Sequence, residues 1–159
     1  MQAGSADILT QNRILIIGAG PAGLALAAEC CEQGLDVTVI DPAPASEWSN
    51  QYAAWVDELA PLGYAQCLKH SWSGARVWLS EAEDQFLPRA YGVLDNTAFR
   101  GLLHQRCSSA KWHQGRAIQW AQGTQGARVA CEDGTQLAGD IVINTTGGCE
   151  PDSTRPAPT

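Results

Sequence analysis

Basic residues are scarce in this chain. Ten Lys and Arg stand against 17 Asp and Glu in 159 residues, for a net charge of −7. They are scattered from Arg13 to Arg155. Neutralising a phosphate backbone needs clustered cations, so nucleic acid is excluded as a partner. Long apolar runs are also missing. The longest, Ala22 to Ala28, falls far short of the roughly 20 residues of a membrane span. Met1 to Asn12 offers neither a basic nor an apolar segment, so no secretory signal is expected, and too little arginine for an organelle transit peptide. Nor is there a CxxC. Of the six cysteines, Cys30 and Cys31 are adjacent and Cys67, Cys107, Cys131 and Cys149 lie far apart. That spacing supports no zinc or redox site, and His70, His104 and His113 are isolated, so no metal is expected. The thiols read as reduced and buried, in a cytoplasmic protein.

What is present is a chain with 45% hydrophobic residues, enough for one domain with a core. Arg13 to Ile17 is a continuous β-branched and Leu run, suited to a strand buried on both faces. Gly18-Ala19-Gly20-Pro21-Ala22-Gly23 follows at once. Leu24 to Gln33 reads as a helix, with Gly34 at the position after its cap. Asp36 to Ile40 is a second strand, ending at Asp41. Residues Glu47 to Asp57 are rich in Trp and Tyr without periodicity. Glu58 to Leu68 is a candidate helix despite Pro61 and Gly63, and Ala75 to Ser80 a strand. Glu81 to Asp84 reads as a solvated turn before Gln85 to Leu87. Asp95 is a candidate N-cap for a helix to about Ser108, with Phe99, Leu102, Leu103 and Cys107 on one face. Asp133-Gly134 signals a two-residue hairpin between Ala127–Cys131 and Thr135–Ala138. Trp112 and Trp120 are expected in that hairpin region. Ile141 to Ile143 is another buried strand, aimed at Thr146-Gly147. These readings divide the chain into a flexible N-terminus (1–12), a nucleotide-binding domain (13–148) and a disordered tail (149–159).

The glycine segment carries the chemistry. GxGxxG alone is a weak signal, but here a strand precedes it, a helix and a second strand follow, and an acid ends that strand. Gly18 allows the turn, Gly20 the approach of backbone to a pyrophosphate, and Gly23 the close packing of helix on strand. The pyrophosphate then meets the free N–H groups and positive dipole of the helix start. Asp41 can accept from both ribose hydroxyls and would repel a 2′-phosphate, which disfavours NADP. The fold class is therefore α/β, an FAD/NAD(P)-binding Rossmann-like parallel sheet with an antiparallel insertion. Gly18, Ala19, Gly20, Pro21, Ala22, Gly23 and Asp41 are the candidate cofactor-binding residues, joined by Arg100 as a cation that could reach a phosphate. Asp57 and Glu58 are candidate acid–base groups, and Tyr52 and Trp55 candidate liners of an apolar substrate slot.

Gly18 to Leu24 resembles the flavoprotein form of this fingerprint, and the order of elements resembles aromatic-hydroxylase-like flavoproteins. A more specific likeness lies in the middle of the chain. Trp48-Ser49-Asn50-Gln51-Tyr52-Ala53-Ala54-Trp55-Val56-Asp57-Glu58-Leu59, His70-Ser71-Trp72, Arg89 to Asp95 and Phe99 to Leu103 resemble the lycopene cyclase family of plants and cyanobacteria. The likeness runs from about Arg13 to Gly147, with a tail after Gly148 unlike the family's continuation.

The resemblance implies FAD, with NAD(P)H as a reductant, and a cyclisation of lycopene end groups without net redox change, an intramolecular lyase or isomerase reaction. It implies a carotenoid substrate and peripheral contact with a membrane. Ala53 stands where the family usually has Gly, Asn96 where it has Arg, and Asn144 where it has Asp. The family's acidic catalytic motif lies beyond Thr159, so the chain is expected to be a truncated N-terminal portion, inactive alone. Two alternatives follow from the same residues: an FAD-dependent oxidoreductase, monooxygenase or halogenase, and a non-catalytic nucleotide-binding fragment.

Overall fold

The computed structural model describes residues 12–80 and 83–147. The readings of a flexible start and of a disordered tail fall almost wholly outside them. In chain order the elements are β1 (Arg13–Ile17), α1 (Pro21–Glu32), β2 (Asp36–Asp41), β3 (Ala53–Trp55), α2 (Val56–Leu59), β4 (Leu68–Trp72), β5 (Ala75–Ser80), β6 (Glu83–Leu87), β7 (Tyr91–Leu94), α3 (Asn96–Arg106), β8 (Lys111–Gln114), β9 (Ala117–Gly123), β10 (Gly126–Cys131), β11 (Gln136–Gly139) and β12 (Ile141–Asn144). Two compact units result: residues 1–45 with 106–159, and residues 46–105.

The first unit holds a four-stranded sheet of order β12-β1-β2-β8. Every pairing in it is parallel. β1 is central, and Leu15, Ile16, Val39 and Ile40 are almost fully buried. That is why these strands read as continuous apolar runs rather than alternating ones. A three-stranded antiparallel sheet, β11-β10-β9, covers one face. Leu15, Ile17 and Ile40 pack there with Ala127, Val129 and Cys131, and Trp120 and Val142 close the cluster. α1 packs on β1 and β2 through Leu24, Ala27 and Ala28. It ends as its glycine predicts: Gly34 N–H donates to Cys31 O and Leu35 N–H to Cys30 O, with Gly34 at φ +75°.

The second unit contains an antiparallel sheet of order β3-β7-β4, a two-stranded β5-β6 pair and α3. Asp95 caps α3, its Oδ1 accepting from Ala98 N–H at 3.0 Å. Tyr64 and Phe99 are buried edge to face, 5.0 Å between ring centroids.

Several expectations are corrected. Residues 58–68 are not one helix. α2 gives way to two short 3₁₀ turns, Ala60–Leu62 and Ala65–Cys67. Pro61 and the left-handed Gly63, at φ +74°, stop propagation. The turn closed by Cys131 and Thr135 has three residues, not two: Cys131 N–H donates to Thr135 O and Gly134 N–H to Cys131 O. Its glycine, at φ +85°, takes the left-handed third position of a three-residue hairpin. Trp112 lies in the parallel sheet, on β8 opposite Val39, and not in the hairpin. β3, β4, β7, β8 and β9 carry too little apolar patterning to announce themselves.

Candidate nucleotide-binding site

The glycine loop lies at the carboxyl end of β1. From β1 the chain builds outward to β2 and β8, then returns to place β12 on the other side. Such a switch point opens a crevice at the strand ends, where α/β folds bind ligands. Gly18 N–H donates to Ile40 O at 2.8 Å, and Gly18 sits at φ +107°. A Cβ on Gly23 would lie 2.0 Å from Gly18 O and 2.7 Å from Thr145 Oγ1, so helix and loop touch only because Gly23 lacks one; a Cβ on Gly18 would instead meet Thr145 Oγ1 at 2.9 Å. Gly20 differs. It is the N-cap of α1 and nothing lies within 4 Å of where its Cβ would be.

The six residues of the loop therefore divide by role. Gly18, Ala19 and Gly23 are buried and hold the turn together, while Gly20 and Pro21 are half-buried and Ala22 exposed. The N-cap, Gly20, has no side chain to cap α1, and Pro21 in its first turn carries no N–H to be satisfied. The amides of Ala22 and Gly23 are thus at the helix start with the positive end of its dipole. This cradle fits a pyrophosphate.

Asp41 closes the other side. Its Oδ2 accepts from Ala19 N–H at 2.8 Å and its Oδ1 from Ala43 N–H at 2.7 Å. A carboxylate has about four acceptor positions, so two remain for ribose hydroxyls. Asp41 has a second task that the motif does not announce: it ties the end of β2 to the glycine loop. Thr145 is the supporting residue that sequence reasoning missed. Its hydroxyl donates to Ile17 O at 2.8 Å and contacts Gly18 O at 3.2 Å, while its N–H donates to Ile17 O. The only signal was a hydroxyl residue just beyond an apolar strand, which the structure shows half-buried, with Ile141 exposed, and not buried as expected.

The remaining candidates lie in the second unit. Asp57 and Glu58 are both taken by Arg89, at 2.9 and 2.6 Å, and Arg89 stacks over Trp55 at 4.7 Å. The hydrogen bond from Arg89 holds the Asp57 carboxyl below its usual range. Trp55 meets Tyr91 edge to face, and Tyr52 meets Trp48. Arg100 lies on α3. Asn96 donates to Trp48 O and Asn50 O, pinning the aromatic segment to the start of α3.

A parallel α/β unit with an open glycine cradle and an acid at the end of β2 defines the class: a protein with the Rossmann-like fold of FAD-binding enzymes. The chain belongs to the lycopene cyclase family, whose profile, described as lycopene cyclase protein, matches residues 13–158. The match runs past Gly147 into the tail, correcting the expectation that the likeness stops there. The chain is 35% identical over 136 residues to lycopene beta cyclase of Arabidopsis thaliana, covering 84% of this chain and 27% of the relative. It is 32% identical to capsanthin/capsorubin synthase of Capsicum annuum, with the same coverage. The chain thus spans about a quarter of the length of these relatives.

Among solved structures, the halogenase PltM superposes with a TM-score of 0.68 at 16% identity, over 89% of this chain and 36% of that one. The 2,6-dihydroxypyridine-3-hydroxylase of Arthrobacter nicotinovorans gives 0.60 at 18%, over 84% and 36%. HpxO of Klebsiella pneumoniae, solved with FAD, gives 0.55 at 18%, over 82% and 38%. These likenesses establish the fold.

Proposed function

We propose that this chain supplies the nucleotide-binding part of a lycopene cyclase and holds the adenosine and pyrophosphate end of FAD. The observation that carries the reading is the open Gly20 position at the start of α1, with no neighbouring atom of the described residues within 4 Å of where its Cβ would lie, and Asp41 holding the loop beside it. The amides of Ala22 and Gly23 orient the pyrophosphate, and Asp41 selects an unphosphorylated ribose. When bound, reduced flavin supplies an electron-rich surface that stabilises the carbocation of ring closure. The curated relatives' names supply the substrate class, a carotenoid.

The first experiment is a titration of the purified chain with FAD and with ADP, followed by fluorescence quenching and calorimetry. Binding of both, lost in Gly20→Val, supports the reading; a protein that takes neither sinks it. A second experiment replaces the matching quarter of a full-length relative with residues 13–147 of this chain in a lycopene-producing host. Cyclised carotenoid from the chimera, abolished by Gly20→Val, assigns the segment to the cyclase reaction. A chimera that binds FAD without cyclising lycopene would favour an oxidoreductase of the same fold.

A membrane-partitioning substrate calls for work at a membrane surface. No helix among the described residues is long and apolar enough to cross one. Trp78, Leu79 and Phe86 of the β5-β6 pair are exposed and supply apolar contact.

A further inference from the structure

We propose that the first unit carries a divalent transition-metal site, with zinc the best-matched ion, formed by His113, Cys131 and Asp133. The site is independent of the FAD reading. His113 is on β8, Cys131 ends β10, and Asp133 sits in the three-residue turn that follows. One ligand atom from each lies within 4.8 Å of the other two. His113 Nε2 and Asp133 Oδ2 are 3.6 Å apart, too far for a good hydrogen bond. Two ligand atoms sharing a tetrahedral zinc at about 2.0–2.2 Å stand about 3.4 Å apart, close to what is seen.

Three further features point the same way. His113 Nε2 is buried and makes no hydrogen bond among the described residues. A Cβ at residue 115 would lie 2.6 Å from that nitrogen, so Gly115 makes room for the ring. Asp133 Oδ1 accepts from Thr135 N–H at 2.9 Å, which fixes the carboxylate and leaves Oδ2 toward His113. An outer hydrogen bond of this kind orients a metal ligand.

The donor set selects the ion. Sulfur, imidazole and carboxylate together suit zinc and its neighbours rather than magnesium or calcium, which prefer oxygen alone. Three protein ligands leave the fourth position to water. Cys131 is 2% exposed, and burial with the nearby Asp133 charge raises its thiol pKa. A bound cation reverses that penalty: the thiol proton leaves to solvent as the metal–sulfur bond forms. The metal would join the edge of the parallel sheet to the antiparallel sheet that covers it. No sequence spacing reveals this, because β8 and β10 belong to different sheets and the ligands converge only in the folded unit.

The test titrates the metal-free full chain with Co²⁺, then displaces it with Zn²⁺. A sulfur-to-cobalt charge-transfer band with tetrahedral d–d absorption, saturating at one equivalent, is expected. Cys131→Ser removes the charge-transfer band. Asp133→Asn, on an exposed turn that folding tolerates, weakens Zn²⁺ binding by about tenfold or more. Cys30→Ser with Cys31→Ser leaves the spectrum unchanged. The proposal is overturned if the unaltered chain shows no charge-transfer band. A band that survives Cys131→Ser, or one lost with Cys30 and Cys31, overturns it equally. Because the first of these outcomes needs no variant, a failure of Cys131→Ser to fold does not shield the proposal.

Discussion

At the scale of the residue, two glycines three positions apart serve different ends, and their alanine variants should separate them. Gly23→Ala forces a methyl group to within 2.0 Å of Gly18 O. The backbone must move, and a loss of about 1–3 kcal/mol or more is expected in urea unfolding. Gly20→Ala meets no atom within 4 Å at an ordinary φ of −72°. It should cost no more than about 1 kcal/mol, the scale of an N-cap change, yet lower FAD affinity by about tenfold or more. Equal effects on stability would contradict this division of labour. Two departures from the family's usual residues also acquire a physical account. Asn144 Oδ1 accepts from Thr146 N–H and Thr146 Oγ1, contacts that the Asp it replaces could equally accept. Asn96 uses its amide as a two-pronged donor to backbone carbonyls, which leaves no cation at that position.

Helices and strands pose a different question, namely what ends each element. α1 stops at Gly34 because the left-handed φ lets two carbonyls of the last turn find partners. Gly34→Ala should therefore destabilise the first unit by about 1–2 kcal/mol, measured by thermal unfolding. α3 starts at Asp95, and Asp95→Ala should cost about 1 kcal/mol. Both ends were legible in the sequence, since cap chemistry is local. The edges of the sheets were not. β4 exposes Lys69, His70, Ser71 and Trp72, and β8 exposes Lys111 and Trp112. A strand exposed on both faces with mixed side chains carries no period that distinguishes it from a loop; only its partners' hydrogen bonds define it.

For the whole molecule, acid is the condition that tests the electrostatics. Asp36 is held below its usual range first by the hydrogen bond from Lys111, and Arg13 adds to it. Glu32 is lowered by Arg106 and Asp57 by Arg89. A depressed carboxylate adds stability that is complete above its unfolded pKa, about 4, and is lost as pH falls through the folded value. These carboxylates should thus add no pH dependence between neutral pH and about 5, where the fall comes from His104, whose pKa burial lowers below about 6.5; the carboxylates add their own loss below about 4. Asp36→Asn should shallow that fall, followed by circular dichroism across the acid range. The carboxylates face solvent, and salt should reduce their effect.

The sequence by itself determined the βαβ unit, its glycine turn, the acid at the end of β2 and the family. Those features are written in contiguous residues, whose spacing is fixed by helix and strand geometry. Tertiary structure decided the rest. It set Thr145 against Gly18 and Gly23, gave Asp41 its hold on the loop, and paired Asp57 and Glu58 with Arg89. It also brought His113 to Cys131 and Asp133. The reason is common to all of these. Each depends on elements distant in sequence being brought together by strand pairing or by packing, and neither leaves a local mark, as a motif does, on the residues it joins.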